Sequence, residues 1–155
     1  MIMCCVNDVN IEHVMPPSDE KRLKEILLRL DESIIPKLSE RVDLDEYAEK
    51  LSERAELFYA IRQGKDIGNC AIYLNSGSYG YISSIAVTKE GQDSGIGTQL
   101  WNYVLKRAIE KKIKLITLMV YETNSKAIAF YKRNGFYIIE KSQGWIKMQF
   151  EVEEI

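Results

Sequence analysis

Apolar and polar residues follow two rhythms along this chain, and the places where one gives way to the other mark its elements. Downstream of Pro16-Pro17, Leu23, Ile26, Leu27 and Leu30 recur at helical spacing. They predict an amphipathic helix with Ser18 as its cap and Asp19 and Glu20 in its first turn. Pro36 interrupts a second helical piece, and Asp43 followed by Glu46 predicts a capping box that opens a helix to about Arg54. The rhythm then shortens. Residues 57–62 and 67–74 read as β-rich runs joined by a connector holding Gly64, and a turn at 75–77 leads to a third strand over 79–87. These three predict an antiparallel meander.

Helical periodicity returns after Gly97, where Leu100, Val104, Leu105, Ala108 and Ile109 form one stripe. Residues 113–121 are almost uniformly apolar, as expected of a central strand. Asn124 opens a helix ending near Asn134, with Gly135 free to take the left-handed cap conformation. Residues 136–140 and 145–152 predict two closing strands. Residues 1–16 give no clear pattern beyond a strand over 11–15. The expected class is α/β (α+β), with a mixed sheet.

The 155 residues fit a single domain, 1–155. The formal charge of −2 comes from 21 basic and 23 acidic residues well mixed along the chain, which gives no electrostatic case for nucleic acid or an anionic membrane. Cys4, Cys5 and Cys70 are a poor disulfide framework, and the lone His13 leaves little for a metal site, so no metal is expected. Free thiols fit a reducing compartment. Residues 1–6 lack the basic flank of a signal peptide, and no run reaches the roughly 20 apolar residues of a membrane span. The expected location is cytoplasmic.

Candidate chemistry sits in two places. The first is Gln92-Asp93-Ser94-Gly95-Ile96-Gly97-Thr98, between a strand and the long helix. Its glycines permit a tight turn and close approach to a ligand, and the helix behind it offers unpaired N–H groups and a positive dipole end to a phosphate. A tight turn with no ligand is the plainer alternative. A P-loop would need lysine where Thr98 stands, and a dinucleotide fingerprint would need glycine where Leu100 stands. The antiparallel setting is also wrong for a Rossmann unit. The second place is the helix from Asn124, on which Asn124, Ala127 and Tyr131 share a face. An amide, a small residue and a phenol there could meet a peptide-like ligand, or Tyr131 could be a core aromatic.

Taken together, the segments resemble the GNAT-type N-acetyltransferase superfamily over roughly residues 57–136. Gln92, Gly95 and Gly97 match its Q/R-x-x-G-x-G/A signature. Asn124, Ala127, Tyr131, Gly135 and Phe136 match its N-x-x-A-x-x-x-Y-x-x-x-G-F pattern. The resemblance implies a three-layer fold with about four helices and a mostly antiparallel sheet of about six or seven strands, splayed at the cofactor. It also implies acceptor-side helices over about 1–54, an acetyl-CoA-binding core over about 55–136 and closing strands over about 137–155.

It further implies acetyl-CoA as acetyl donor. Backbone groups of Ile85, Ala86 and Val87 would pair with the pantetheine arm, residues 92–98 (Gln92, Asp93, Ser94, Gly95, Ile96, Gly97 and Thr98) would cradle the pyrophosphate, and Asn124 and Ala127 would meet the pantetheine. Tyr131 would protonate the departing thiolate, and Lys126, Lys132 or Arg133 would meet the ribose phosphate. Family members often carry basic or glycine residues where this loop has Asp93 and Ser94, and an acid there disfavours pyrophosphate unless it points to solvent. Glu122, His13, or waters held by Tyr81, Ser83 or Ser84, are the candidate bases.

Acceptor choice falls to residues 33–45, Glu40 and Arg41 among them, and to Tyr73, Tyr79 and Tyr81. The expected acceptor is a small-molecule amine, an amino sugar or amino acid derivative, handled by a monomer or homodimer. Acetylation of a protein N-terminus or lysine, or a non-catalytic acyl-CoA-binding module, are the alternatives.

Overall fold

Phe58 and Ala60 point to one side of a sheet, Leu57 and Tyr59 to the other, and that alternation organises the whole chain. In the computed structural model, which describes residues 8–92 and 94–153, both sets are fully buried. The strands are β1 (Val9–Val14), β2 (Glu56–Arg62), β3 (Lys65–Ser76), β4 (Tyr79–Val87), β5 (Leu115–Tyr121), β6 (Tyr137–Ser142) and β7 (Trp145–Glu151). The helices are α1 (Glu20–Leu30), α2 (Leu38–Arg41), α3 (Leu44–Arg54), α4 (Ile96–Glu110) and α5 (Ser125–Arg133), with short 3-10 turns at Asp31–Ser33 and Lys89–Gly91. Helices α1 and α3 cover one face, while α4 and α5 cover the other. The expected three layers are present.

In α1, Leu23, Ile26, Leu27 and Leu30 are all buried, as their spacing predicts. Each such side chain contributes about 1.5–3 kcal/mol by leaving water, so burial, more than propensity, holds this helix. Its cap differs from expectation. Asp19, not Ser18, caps the helix by accepting from the Arg22 N–H, whereas the Ser18 N–H is spent on the Ser52 carbonyl at 2.8 Å. Asp43 does cap α3, accepting from the N–H groups of Asp45 and Glu46. In α4 the helix begins at Ile96, with Gly95 as cap, and Trp101 joins Leu100, Val104 and Ala108 in the core where Leu105 and Ile109 are only half buried.

The sheet is seven-stranded in the order β1-β2-β3-β4-β5-β7-β6. Strands β1 to β4 form an antiparallel meander. The β2–β3 hairpin turns on Gln63 and Gly64 alone, at φ 53° and 74°, with Arg62 facing Lys65; both central residues are left-handed, as a type I′ turn requires. β5 then runs parallel to β4, and β7 inserts antiparallel between β5 and β6. β5 is therefore central, as its apolar run predicts. Its exposure nevertheless alternates: Ile116, Leu118 and Val120 are buried on the α4 face, whereas Met119 on the opposite face is 41% exposed.

One buried acid ties these layers together. The Glu56 side chain on β2, 5% exposed, accepts from Arg107 Nε of α4 at 2.7 Å and lies 2.7 Å from His13 Nε2 of β1. Lys111 Nζ at the end of α4 adds a longer contact of 3.9 Å. His13 is thus a structural partner, stacked on Phe58 with centroids 4.5 Å apart. Burial pushes the Glu56 carboxyl up, but the hydrogen bonds and charges of Arg107 and His13 outweigh it and leave the net shift downward. The folded state therefore binds fewer protons here than the unfolded chain, so this contribution is present above the ordinary carboxyl value near 4.5 and is lost as pH falls through the lowered value. Glu56→Gln should cost about 2–4 kcal/mol at neutral pH. The variant should also lose less stability than the parent on acidification below pH 4.5. Urea unfolding across pH checks both.

Candidate active site

β4 and β5 are paired only from Tyr79↔Leu115 to Ile82↔Leu118. Beyond that point both continue, β4 to Val87 and β5 to Tyr121, without meeting. The register between β3 and β4 slips at the same place: Ala71 faces Ser84 and Ile72 faces Ile82, leaving Ser83 as the extra residue of a bulge. A bulge bends its strand and raises local twist, which accounts for β4 turning away from β5. Between the diverging strands lies a cleft of about 850 Å³.

At one end the cleft meets the first turn of α4. Gly95 takes φ 76° with open space where a side chain would stand, and neither a side-chain cap nor an acidic first-turn residue serves this helix start. Such an end is suited to an anion. Gly97 serves a different purpose. A Cβ there would come within 3.2 Å of the Phe130 ring, so its bareness lets α5 pack against α4 rather than admitting a ligand from that side. Gln92 is also committed: its Nε2 donates to the Val87 carbonyl at 3.0 Å, and its Oε1 accepts from Lys126 Nζ at 3.1 Å. It staples the end of β4 to α5. Asn124 caps α5 by accepting from the Ala127 N–H at 3.2 Å, which leaves its amide NH₂ as a donor beside the cleft.

Tyr131 lies where the strands part. Its ring packs between Phe130 and Phe136, and burial, with a smaller push from nearby Cys70, drives its phenol well above the usual value. The proton stays on it throughout the neutral range. Across the cleft, the Tyr47 hydroxyl of α3 lies 2.6 Å from Ser83 Oγ on the bulge. Burial, then Tyr47, raises the Tyr81 phenol, and the Arg41 charge opposes them.

Of the residues expected to meet the cofactor, the cleft gathers Ile85, Ala86, Val87, Gln92, Gly95, Ile96, Gly97, Thr98, Asn124, Ala127 and Tyr131, with Lys126 and Arg133. Of those expected to meet the acceptor, Arg41, Tyr81, Ser83 and Ser84 line the same cleft. Ser94, Glu40, Glu122 and Lys132 are exposed and lie outside the lining, as do Tyr73 and Tyr79, while Asp93, Cys4 and Cys5 fall outside the described residues. Lining residues that the sequence reading missed include Glu32, Lys89, Met119, Tyr121, Phe130 and Trp145. A tryptophan opening the strand that pairs with β5 was the one legible signal among them. Among the described residues there is no group of three or more His, Cys, Asp or Glu placed to hold a metal, and no helix is long and apolar enough to cross a membrane.

Sequence and structure comparisons agree with this geometry. The sequence model of the Acetyltransferase (GNAT) family matches residues 21–136, and the chain belongs to that family. It is 33% identical over 73 residues to thialysine N-epsilon-acetyltransferase of Mus musculus, covering 47% of this chain and 43% of that protein. It is 31% identical over 97 residues to streptothricin acetyltransferase A of Bacillus subtilis, covering 62% and 55%. The matches thus span about half the length of these relatives. In fold, the chain superposes on a GNAT family acetyltransferase from Elizabethkingia anophelis with acetyl-CoA bound at a TM-score of 0.72 and 20% identity, over 94% of this chain and 99% of that one. For the ribosomal-protein-S18-alanine N-acetyltransferase of Escherichia coli the TM-score is 0.76 at 18% identity, over 95% and 96%.

Gly95→Val should remove binding of acetyl-CoA, because a β-branched residue resists φ 76° and so turns the N–H groups that open α4 out of place. The expected result is loss of the thermal shift that acetyl-CoA gives the parent protein, at a stability cost of about 1–2 kcal/mol.

Proposed function

We propose that this chain transfers the acetyl group of acetyl-CoA to the primary amine of a small molecule, an amino sugar or amino acid derivative, by direct attack in a ternary complex. One observation carries the reading. A single cleft joins the open edge of β4 at residues 83–87, the start of α4, which no side chain caps, and the protonated Tyr131.

The residues present fit acetyl-CoA. The N–H groups opening α4 would take its pyrophosphate, with Lys126 at hand, and backbone groups of Ile85 to Val87 would pair with its pantetheine as an added strand would. Acetyl-CoA supplies an acetyl thioester. Holding both substrates in one cleft removes much of the entropic barrier to their meeting. The amine nitrogen forms a bond to the carbonyl carbon, the carbon–sulfur bond breaks, and its electron pair leaves on sulfur. A backbone N–H of Ile85 or Val87 would stabilise the negative charge that grows on the carbonyl oxygen.

Tyr131 supplies the proton or hydrogen bond for the sulfur. With its phenol raised by burial, full transfer to a thiolate is less favourable than for a free phenol, so stabilising the sulfur by hydrogen bonding is its larger part. The nitrogen's surplus proton leaves through water held by Tyr81, Ser83 and Ser84, whose hydroxyls border the acceptor end. The exposed position of Glu122 favours these waters over that carboxylate. No covalent acyl-enzyme enters the scheme, and the buried Cys70, its thiol pushed up by burial, is suited to packing rather than attack.

Tyr131→Phe should lower kcat on the order of 10²-fold with little change in acetyl-CoA affinity. The parent kcat should show no descending limb assignable to this phenol below about pH 10. Thiol release measured against a panel of amines, with calorimetric titration of acetyl-CoA, tests both. Acetyl-CoA binding without thiol release from any amine would favour a non-catalytic acyl-CoA-binding module instead.

A further inference from the structure

We infer that the acceptor carries a carboxylate as well as its amine, and that Arg41, laid over the Trp145 ring, seats it. The inference rests on the acetyltransferase reading and narrows it to amino acids and their derivatives.

Arg41 closes the short helix α2 and lines the acceptor end of the cleft, its guanidinium carbon 5.4 Å from the centroid of the Trp145 ring. None of the ion pairs or hydrogen bonds found among the described residues occupies its N–H groups. Arg41 is itself exposed, and the half-buried Arg22 and Arg107 differ in this respect. Arg22 is clasped by both oxygens of Asp66, and Arg107 by those of Glu56. Arg41 is a cation held on an aromatic face with its donor edge unspent.

The other cations of the cleft belong to different parts of it. Lys126 meets Gln92 beside the glycine turn, and Arg133 stacks at 5.8 Å over Phe130 on the same side, where the phosphates of the coenzyme would lie. Lys89 lies 3.9 Å from Glu32, the one carboxylate among the described lining residues. Arg41 is thus a cation without a carboxylate partner, set apart from the glycine turn. Around it stand Met119, Tyr121 and Trp145, the last two meeting edge to face at 5.0 Å.

This combination selects among amines. A polyamine or a multiply aminated sugar would bring further positive charge toward Arg41, and within the cleft only Glu32, already near Lys89, could hold it, since Asp43 and Glu46 line a separate hollow that Arg41 borders. A carboxylate would gain a forked pair of charge-assisted hydrogen bonds, and the indole beneath shields that pair from water on one side. The carbon skeleton between carboxylate and amine would lie on Met119 and Tyr121.

The test compares acceptors in matched sets by thiol release: lysine with cadaverine, phenylalanine with phenethylamine, each amino acid with its carboxamide, and glucosamine. The carboxylates should exceed their uncharged counterparts at least about tenfold in kcat/KM. Arg41→Gln should raise KM for the carboxylate acceptor about 10- to 100-fold, leave KM for acetyl-CoA unchanged and abolish the preference within each set. Arg41→Lys should retain part of the preference, since the charge remains and the fork does not. Equal turnover of the carboxylate-free members, or a preference untouched in Arg41→Gln, would overturn the seat and leave the acetyltransferase reading standing. Failure of every amine would remove that reading, and the seat with it.

Discussion

The structure depends on where β4 and β5 stop pairing. A sheet strand leaves its N–H and C=O groups unsatisfied if it loses a neighbour, and proteins seldom tolerate this in the middle of a sheet. Here the loss is built in: pairing ends at Ile82 and Leu118, and the bulge at Ser83 bends β4 away on its other side. The exposed edge is a demand for a partner with amide-like groups. Everything at the site answers to that gap, including the start of α4 at one end and the phenol of Tyr131 beside it.

What the gap needs on either side is support that does not move. β4 keeps its antiparallel bonds to β3 as far as Val87, and β5 keeps its own to β7 as far as Tyr121. Both walls are therefore ladders with one free rail. Gln92 then ties the end of β4 to α5, and the Tyr47–Ser83 hydrogen bond ties α3 to the bulge. α3 and α5, on opposite faces of the sheet, are thus both tied to the diverging end of β4.

Much of this was legible in the sequence, for a physical reason. Helix stripes such as Leu23 to Leu30 and turns such as Gln63-Gly64 are decided by neighbours close in the chain, so local pattern suffices. The glycine turn and the Asn124–Tyr131 face were readable because spacing alone places them on defined elements. Other features depended on contacts far apart in sequence. Nothing local distinguishes Ser18 from Asp19 as the cap of α1; in the fold Ser18 turns both its N–H and its hydroxyl to the Ser52 carbonyl, and Asp19 caps. The role of Gly97 could not be read without Phe130, nor that of His13 without Glu56. Trp145 and Arg41, separated by most of the chain, become a pair only through the insertion of β7 beside β5.

The anchoring of α4 has a mechanical side. Its 15 residues span about 22 Å, with Arg107 near the far end gripping Glu56 and the near end opening onto the cleft. A helix of that length behaves as a stiff rod, so its two ends share one alignment. Damage to the grip on β2 would be transmitted as a tilt of the rod, misaiming its N–H groups at a point that no altered side chain touches. Remote lesions in this protein can therefore masquerade as defects in ligand affinity.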